Sequence, residues 1–265
     1  MKAADRTNEL SPPALQAVAV SQRFGGATAL DDVSLAIGAG DLTALIGPNG
    51  AGKSTLFDIL AGDRRPTAGE VLLHGRDVTR AASHRHLAGG LGRTFQIPRP
   101  FAAMTLVENV MIGAQRHPGE RILPNWFAPR LVAAHEREVH ARAMELLDFV
   151  SLAPLARQPA RVLSGGQRKL LELARVLMAR PRVVLLDEPA AGVAPALLEV
   201  LIARIAELNE QGTSFLVIEH NMDMVAALCR RVLVLAAGRI LCDGTPHEVT
   251  RDPRVIAAYL GSDAA

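Results

Sequence analysis

A glycine-rich run at residues 47–54 is the clearest chemical feature of the sequence. The run Gly47-Pro48-Asn49-Gly50-Ala51-Gly52-Lys53-Ser54 fits the pattern G-x-x-x-x-G-K-S/T without a mismatch. Glycines let backbone N–H groups converge on phosphate oxygens, and the N-terminus of a following helix adds positive potential. Lys53 would supply a point charge to the β- and γ-phosphates, and the Ser54 hydroxyl a ligand for Mg²⁺. A nucleoside triphosphate site is predicted, extending to Thr55; the alternative is a chance glycine turn.

A pair of carboxylates follows a short apolar run. Residues 183–186 are Val-Val-Leu-Leu, and Asp187 and Glu188 come directly after them. A buried strand that ends in charge delivers it to the carboxyl edge of a sheet, where ligands of α/β proteins bind. Asp187 is expected to hold Mg²⁺ through water, and Glu188 to polarise the attacking water. The alternative is a strand end with two solvated acids, which is common.

A second glycine pair lies about 110 residues further along the chain, in Leu163-Ser164-Gly165-Gly166-Gln167. Ser164 and Gln167 have the spacing of a capping box, which predicts a helix start. Two glycines there expose backbone N–H groups, which makes a second anion site. A plain helix cap would explain Ser164 but not the paired glycines. One nucleotide does not require two phosphate sites in one chain.

Length and composition limit the class of protein. The 265 residues are 49% hydrophobic and 3% aromatic, with a net charge of +2. Such a chain can bury a large core and is not disordered as a whole. Its longest apolar run is six residues, so no membrane span is expected. The polar start and two cysteines predict a cytoplasmic protein, without a signal peptide or disulfide framework. Balanced charge and few aromatics argue against a nucleic-acid partner.

The elements that position these residues alternate between strands and helices. Strands are predicted at residues 17–20, 33–37, 41–46, 70–74, 183–186, 215–218 and 232–235, and helices at 55–61, within 105–150 and after Ser164. The stretch 117–129 is broken by Pro and Gly. Unbroken apolar strands alternating with helices predict a parallel α/β sheet.

With Leu163–Gln167 included, the chain resembles the ATPase subunit of an ABC transporter over nearly its whole length. Gln96 matches the glutamine that links the metal site to the helical subdomain, and is expected to contact nucleotide and metal. His220 matches the switch histidine, and Phe24 lies where the family stacks an aromatic on adenine. The resemblance implies ATP and Mg²⁺ as ligands. It also implies that Ser164, Gly165, Gly166 and Gln167 close over the nucleotide of a second ATPase subunit in a head-to-tail dimer.

The resemblance also implies the fold. This is an α/β P-loop NTPase with a RecA-like parallel core, an antiparallel β subdomain and an inserted helical subdomain at about 97–162. The cassette would occupy residues 14–265, after a flexible tail at 1–13.

Several segments are similar to the branched-chain amino acid importer family, namely residues 92–96, 104–110, 188–192, 218–222 and 252–261. That family pairs two different ATPase subunits, and the long stretch after Gly113 resembles the larger one. The chain departs from that family at two places. One is Ile97-Pro98. The other is Ala194, where the family usually has Asn or Asp in the loop that contacts the other subunit. The resemblance predicts an ATP-hydrolysing subunit that powers the import of branched-chain amino acids or a related small solute. It would be peripheral on the cytosolic face of the inner membrane. A soluble ABC ATPase outside transport is the alternative.

The implied partners are membrane permease subunits, contacted through Gln96–Phe101, whereas a solute-binding protein would be a partner only indirectly.

Two other groups of residues are predicted to be structural. His84 and His86 have no third metal ligand nearby in sequence and are expected to face solvent. Cys229 and Cys242 are expected to be small buried hydrophobes.

Overall fold

The computed structural model describes residues 12–96, 98–115 and 129–260 of the chain, which form two sheets and a set of helices. The strands are β1 (Leu15–Phe24), β2 (Ala27–Ile37), β3 (Leu42–Ile46), β4 (Ala68–Leu73), β5 (Arg76–Asp77), β6 (Leu91–Arg93), β7 (Val183–Asp187), β8 (Ser214–Ile218), β9 (Arg231–Ala236) and β10 (Arg239–Gly244). The helices are α1 (Lys53–Leu60), α2 (Ser83–Ala88), α3 (Leu106–Met111), α4 (Pro129–Phe149), α5 (Gly165–Leu177), α6 (Pro195–Glu210), α7 (Met222–Leu228), α8 (Pro246–Val249) and α9 (Pro253–Leu260).

The larger sheet has six strands in the order β10-β9-β3-β8-β7-β6. The five strands from β9 to β6 are parallel, and β10 joins the edge antiparallel to β9. The predicted parallel α/β sheet is therefore confirmed. The sequence-based prediction missed β6 and β10, because both lack the run of four or more β-favouring apolar residues that marked the central strands.

Successive side chains of the central strands enter two different hydrophobic cores. In β8, Phe215 and Val217 pack with α4, α5 and α6, whereas Leu216 and Ile218 pack with α1 and the smaller sheet. All five residues of β3, β7 and β8 are buried. Burial on both faces explains why these strands are continuous apolar runs rather than alternating ones.

The smaller sheet is antiparallel, in the order β2-β1-β4-β5. Its first two strands form a hairpin that turns at Gly25-Gly26 and pairs Leu15 with Ile37. Both strands are longer than predicted, because the ladder continues through residues whose polar side chains lie on an exposed face. Since only one face is buried, the apolar pattern marks just part of each strand.

The part of the chain that the structure describes between Gln96 and the signature segment (Leu163–Gln167) is largely helical, as predicted for 105–150, and includes α3 and α4. Thr105 begins α3 with a capping box to Glu108. Two short 3₁₀ turns, Ala153–Leu155 and Ala160–Val162, lead from α4 to the signature segment. The broken stretch 117–128 and most of the expected tail, residues 1–11, lie outside the described residues. The proposed subdomain boundaries stay predictions.

One prediction about the histidines is wrong. His86 is only 1% exposed, and its Nδ1 and Nε2 each lie 3.1 Å from a backbone carbonyl, of Leu60 and Val78 respectively. The ring ties α2 to α1 and β5, which sequence spacing does not reveal. His84 is exposed, as expected. Cys229 is buried, but Cys242 is only partly so.

None of the helices within the described ranges is both long and apolar enough to cross a bilayer.

Candidate functional site

The glycine-rich loop joins the central strand β3 to α1, as the motif requires. The helix begins at Lys53, two residues earlier than predicted from the apolar spacing, and Gly52 is its N-cap with a φ of 104°. Lys53 and Ser54 therefore lie in the first turn, where the backbone N–H groups have no partner within the helix. This geometry directs positive potential toward the loop.

Two glycines of the loop are required by close approaches of the backbone. Gly47 has a φ of 152°, and a Cβ atom there would lie 2.0 Å from the Leu235 carbonyl oxygen. A Cβ atom on Gly52 would lie 2.5 Å from the Ala29 carbonyl oxygen. Both neighbours are backbone atoms, which do not move aside readily. Glycine at these two positions thus allows the loop to pack against neighbouring backbone. It also leaves the N–H groups of the loop unobstructed.

Lys53 is buried at the base of the loop. Its Nζ donates hydrogen bonds to the carbonyl oxygens of Gly47 at 2.6 Å and Pro48 at 2.9 Å. Burial lowers the pKa of Lys53, while the nearby carboxylates of Glu188 and Asp187 act in the opposite direction. A cation with this little solvation is well placed to bind phosphate oxygens.

A cavity of about 340 Å³ brings most of the predicted nucleotide-contacting residues together. Its lining consists of Ala29, Asn49, Gly50, Ala51, Gly52, Lys53, Ser54, Thr55, Gln96, Glu188 and His220. Residues from four distant parts of the sequence thus converge on the loop. The cavity is lined by cationic, hydroxyl and backbone donors on one side and a carboxylate on the other.

Glu188 is held between two side chains of this cavity. Gln96 Nε2 donates to Glu188 Oε2 at 2.9 Å, and His220 Nε2 lies 3.2 Å from Glu188 Oε1. Gln96 and His220 come from the segments that follow β6 and β8, on either side of β7. The structure therefore brings Glu188 and His220, which are predicted to act in hydrolysis, together with Gln96, which is predicted to contact nucleotide and metal.

Asp187 is the last residue of β7 and is 6% exposed. Its backbone N–H donates to Thr94 Oγ1 at 3.3 Å, and its Oδ2 lies 3.7 Å from Arg93 NH2. Burial raises the pKa of Asp187, and the Arg93 guanidinium acts against this. Arg93 also contacts Asp58 Oδ1 and Asp63 Oδ2, each at 2.9 Å, so its charge is shared with two other carboxylates.

The three predicted metal-binding residues fit an Mg²⁺ ion. Ser54, Gln96 and Asp187 border one cavity of about 540 Å³, and they offer a hydroxyl, an amide and a carboxylate oxygen. These are the hard oxygen donors that Mg²⁺ prefers. Within the described residues there is no cluster of three His, Cys, Asp or Glu side chains that would form a site by itself. This agrees with an ion that takes its other ligands from phosphate and water.

The signature segment begins α5 as predicted. The Ser164 side chain accepts from the Gln167 backbone N–H, and the Gln167 side chain accepts from the Ser164 backbone N–H. Gly165 is exposed, while Gly166 is packed against Leu197. Residues 164–167 are not among those that line the nucleotide cavity. The signature segment, which is predicted to be a second anion site, is therefore separate from the nucleotide cavity within one chain.

Phe24 is likewise not part of the cavity lining. It ends β1, its side chain is 43% exposed, and the Arg64 guanidinium lies 4.8 Å from the ring centroid. The ring is therefore not part of the hydrophobic core. Its role in adenine stacking stays a prediction.

Glu219 is a residue of this site that the sequence-based prediction did not assign. It is 3% exposed, and its carboxylate accepts hydrogen bonds from the backbone N–H groups of Ala190 at 2.6 Å, His220 at 2.9 Å and Asn221 at 3.0 Å. It therefore holds the loop after β7 beside the loop after β8. An acidic residue directly after a buried strand, as at Asp187, is the signal that could have found it.

Comparison with known proteins agrees with this geometry. A family model described as "ABC transporter" matches residues 30–191, which contain the glycine-rich loop, Gln96, the signature and the acidic pair.

The chain belongs to the ABC transporter family.

A second model, described as "Branched-chain amino acid ATP-binding cassette transporter", matches residues 239–265 of this ABC ATPase. The chain is 39% identical over 253 residues to the high-affinity branched-chain amino acid transport ATP-binding protein BraF of Pseudomonas aeruginosa, an alignment that covers 95% of this chain and 99% of BraF. Homology along the whole length supports the assignment of the chain as an ATP-hydrolysing transporter subunit.

Two solved structures are similar to the ABC ATPase in fold. A nucleotide-free ATP-binding cassette from an ABC transporter has a TM-score of 0.81 and 36% identity, covering 93% of this chain and 98% of that one. A dimeric cassette in a post-hydrolysis state, bound to ADP and Pi, has a TM-score of 0.72 and 25% identity, covering 88% of this chain and 98% of that one. The predicted ABC ATPase fold is thereby confirmed.

Proposed function

We propose that this ABC ATPase powers the import of branched-chain amino acids from the cytosolic face of the cell membrane. The observation that carries the proposal is the match of residues 239–265 to the branched-chain amino acid transporter model, beyond the part of the chain shared by ABC ATPases in general. The relative BraF is named for the same transport. The site described above supplies the ATPase chemistry but does not contact the solute.

Uptake of labelled leucine, isoleucine and valine by cells lacking the chain tests this substrate class. Wild-type chain should restore uptake, whereas Lys53→Ala should not. Restored uptake of another small solute, with no change in these three, would refute the substrate while retaining the transport role. An unchanged membrane uptake profile, with the chain purifying free of membrane subunits, would favour the soluble ABC ATPase alternative.

In the proposed reaction, the glycine-rich loop binds the triphosphate. Lys53 exchanges its hydrogen bonds to the Gly47 and Pro48 carbonyls for bonds to the β- and γ-phosphate oxygens. The backbone N–H groups at the start of α1 add further donors. Because the Nζ already points into a polar site of low exposure, little reorganisation is needed for binding.

Ser54, Gln96 and Asp187 are the residues that would hold Mg²⁺. When bound, the ion neutralises charge that develops on the phosphate oxygens in the transition state. The nitrogen of the Gln96 amide donates to Glu188, and its oxygen would be the ligand of the ion. Gln96 would therefore respond to the γ-phosphate end of the nucleotide.

Glu188 and His220 would act on the attacking water. The Glu188 carboxylate is partly buried beside the cavity, where it can accept a proton from water. His220 lies 3.2 Å from that carboxylate and can orient it or contact the γ-phosphate. Glu219 fixes the backbone of His220, so it acts as support for the switch segment rather than on the nucleotide.

The separation of the two anion sites supports a head-to-tail dimer. Ser164, Gly165, Gly166 and Gln167 lie outside the cavity of their own chain, so they would close over the nucleotide of the other ATPase subunit. A family cassette bound to ADP and Pi is dimeric. In this arrangement, ATP joins the subunits and hydrolysis releases them.

A partly apolar surface beside Gln96 is the proposed docking site for a permease. Phe95, Phe101 and Ile112 are 59%, 50% and 45% exposed, although they are large hydrophobic residues. Arg175 lies over the Phe101 ring, with 5.7 Å from the guanidinium carbon to the centroid. Such aromatic and arginine groups are enriched at interface hot spots. Ile97, within the predicted Gln96–Phe101 segment, lies outside the described residues.

A further inference from the structure

Lys169 connects three separate parts of the catalytic site through one ammonium group. It lies in the second turn of α5, the helix that the signature segment begins. Its Nζ donates to the Glu188 carbonyl oxygen at 2.6 Å and to the Gln96 carbonyl oxygen at 3.2 Å. The signature helix is thereby joined to the backbone of both Glu188 and Gln96, whose side chains are hydrogen-bonded to each other.

The surroundings of Lys169 are acidic. Burial lowers its pKa, whereas the carboxylates of Glu172, Glu219, Glu188 and Asp187 raise it, in that order. A half-buried cation among four carboxylates offsets their mutual repulsion. Its side chain is therefore held in place by charge as well as by two hydrogen bonds.

The backbone of Glu188 requires such support. Glu188 has a φ of +46°, in the left-handed region that residues other than glycine rarely adopt. A strained residue of this kind persists only where its surroundings determine its conformation. The Glu188 N–H donates to the Ile218 carbonyl at 2.9 Å, and its carbonyl accepts from Lys169. One anchor comes from the sheet, and the other comes from the signature helix.

We propose that Lys169 is a positioning residue that sets the Glu188 peptide, and with it the Glu188 carboxylate, according to the position of the signature helix. The inference rests on the proposed roles of Glu188 and of the head-to-tail dimer. In that dimer, the start of α5 contacts the nucleotide of the other subunit. A shift of α5 on nucleotide binding there would move the Glu188 peptide in this subunit, so Lys169 would couple the two sites.

The connection through Lys169 has added importance in this chain because Ala194 occupies the loop that would contact the other subunit. The loop between β7 and α6 ends at Ala194, whose side chain makes no capping hydrogen bond. Ala has no polar atom to offer to the other subunit. Lys169 provides a polar connection between the signature helix and the acidic pair that does not pass through that position.

The test uses the transporter complex isolated through a tag on this chain. The rate that belongs to this chain is defined as the wild-type ATPase rate minus the rate of Glu188→Gln. Lys169→Met keeps the length of the side chain and removes its donors, and Lys169→Arg retains donors. Arg230→Met removes an exposed cation elsewhere and serves as the matched control.

We expect Lys169→Met to lower the Glu188-dependent kcat at least tenfold, with KM and the calorimetric Kd for ATP changed less than twofold. Lys169→Arg should restore at least a third of the lost rate, and Arg230→Met should match the wild type. In the Glu188→Gln background, Lys169→Met should have no further effect on hydrolysis.

Three results would overturn the inference. They are an unchanged kcat in Lys169→Met, a parallel loss of ATP binding and kcat, or a loss in the Glu188→Gln background as large as in the wild type. By contrast, a Glu188→Gln complex that hydrolyses ATP at the wild-type rate would refute the proposed role of Glu188 itself. Failure of the inference and failure of the proposed function are thus separate outcomes.

Discussion

The amide nitrogen of Gln96 donates a hydrogen bond of 2.9 Å to the carboxylate of Glu188, 92 residues away in the sequence. The bond joins the segment proposed to contact a permease to the residue proposed to polarise water. The bond uses the amide nitrogen and leaves the amide oxygen, the candidate Mg²⁺ ligand, available on the same side chain. We therefore expect a change at the nucleotide to be transmitted to the surface around Phe101.

Lys53→Ala is expected to weaken ATP binding at least tenfold, about 1.4 kcal/mol. Lys53 is the only side-chain cation in the glycine-rich run, and it faces several negative charges of the triphosphate. Isothermal titration calorimetry of the purified chain measures the effect, and thermal unfolding checks that the variant is folded. A folded variant with the wild-type dissociation constant would contradict the assignment of the loop.

Glu188→Gln is expected to retain ATP binding and to lower the hydrolysis rate by about 10²–10⁴-fold, since loss of a general base has effects of this size. The substitution keeps the shape of the side chain and removes its charge. Phosphate release under saturating ATP is the measurement. Glu199→Gln, at an exposed position on α6, is the control and should leave the rate unchanged. Wild-type turnover in Glu188→Gln would place the base elsewhere.

Phe101→Ala is expected to leave ATP binding intact and to weaken assembly with the permease by about 1–3 kcal/mol, the effect of losing an interface hot spot. The ring is half exposed and packs under Arg175. Co-purification with the membrane subunits and leucine uptake report the change. Leu131→Ala removes an exposed apolar side chain from α4 and should have little effect. Complete assembly and normal transport by Phe101→Ala would move the docking site elsewhere on the helical region.

Ala194→Asp is expected to stabilise the protein by about 0.5–2 kcal/mol, because Ala194 is an N-cap with extended backbone and no side-chain acceptor. An Asp carboxylate there would accept from a free N–H in the first turn of α6 and would interact favourably with the helix dipole. For a chain of this size, about 1 kcal/mol corresponds to a rise in Tm of roughly 2–4 °C. Ala194→Val, which adds no acceptor, should not raise the Tm. Equal Tm values for Ala194→Asp and Ala194→Val would show that a carboxylate at this position does not cap α6.

Cys229 is expected to resist alkylation in the folded protein. Burial, with a smaller contribution from the Glu219 carboxylate, raises the pKa of its thiol to about 12. At pH 8 the reactive thiolate is then rarer than in an unfolded chain by a factor on the order of 10³. Iodoacetamide labelling of a Cys242→Ser variant, with and without denaturant, measures this directly. Equal labelling rates in the two conditions would contradict the buried position of the thiol.

The amino-acid sequence by itself indicated which residues are candidates for nucleotide chemistry. The loop at 47–54, the acidic pair at Asp187 and the capped glycines at Ser164 are contiguous patterns, and their local backbone geometry follows from short-range spacing. The central strands were also predictable, because strands buried on both faces are continuous apolar runs. The smaller sheet was predicted only in part, since its outward side chains are polar.

Only the tertiary structure decided which residues support that chemistry. Glu219 lies beside Ala190 because the parallel strands β7 and β8 bring their carboxyl ends to one edge of the sheet. Lys169 reaches Glu188 at that edge from the helix α5. His86 is buried for a similar reason, as its two carbonyl partners come from α1 and from the residue after β5. Except for the contact of His86 with Val78, these contacts join residues at least 19 positions apart. The burial and charge that they produce depend on packing that no local pattern records.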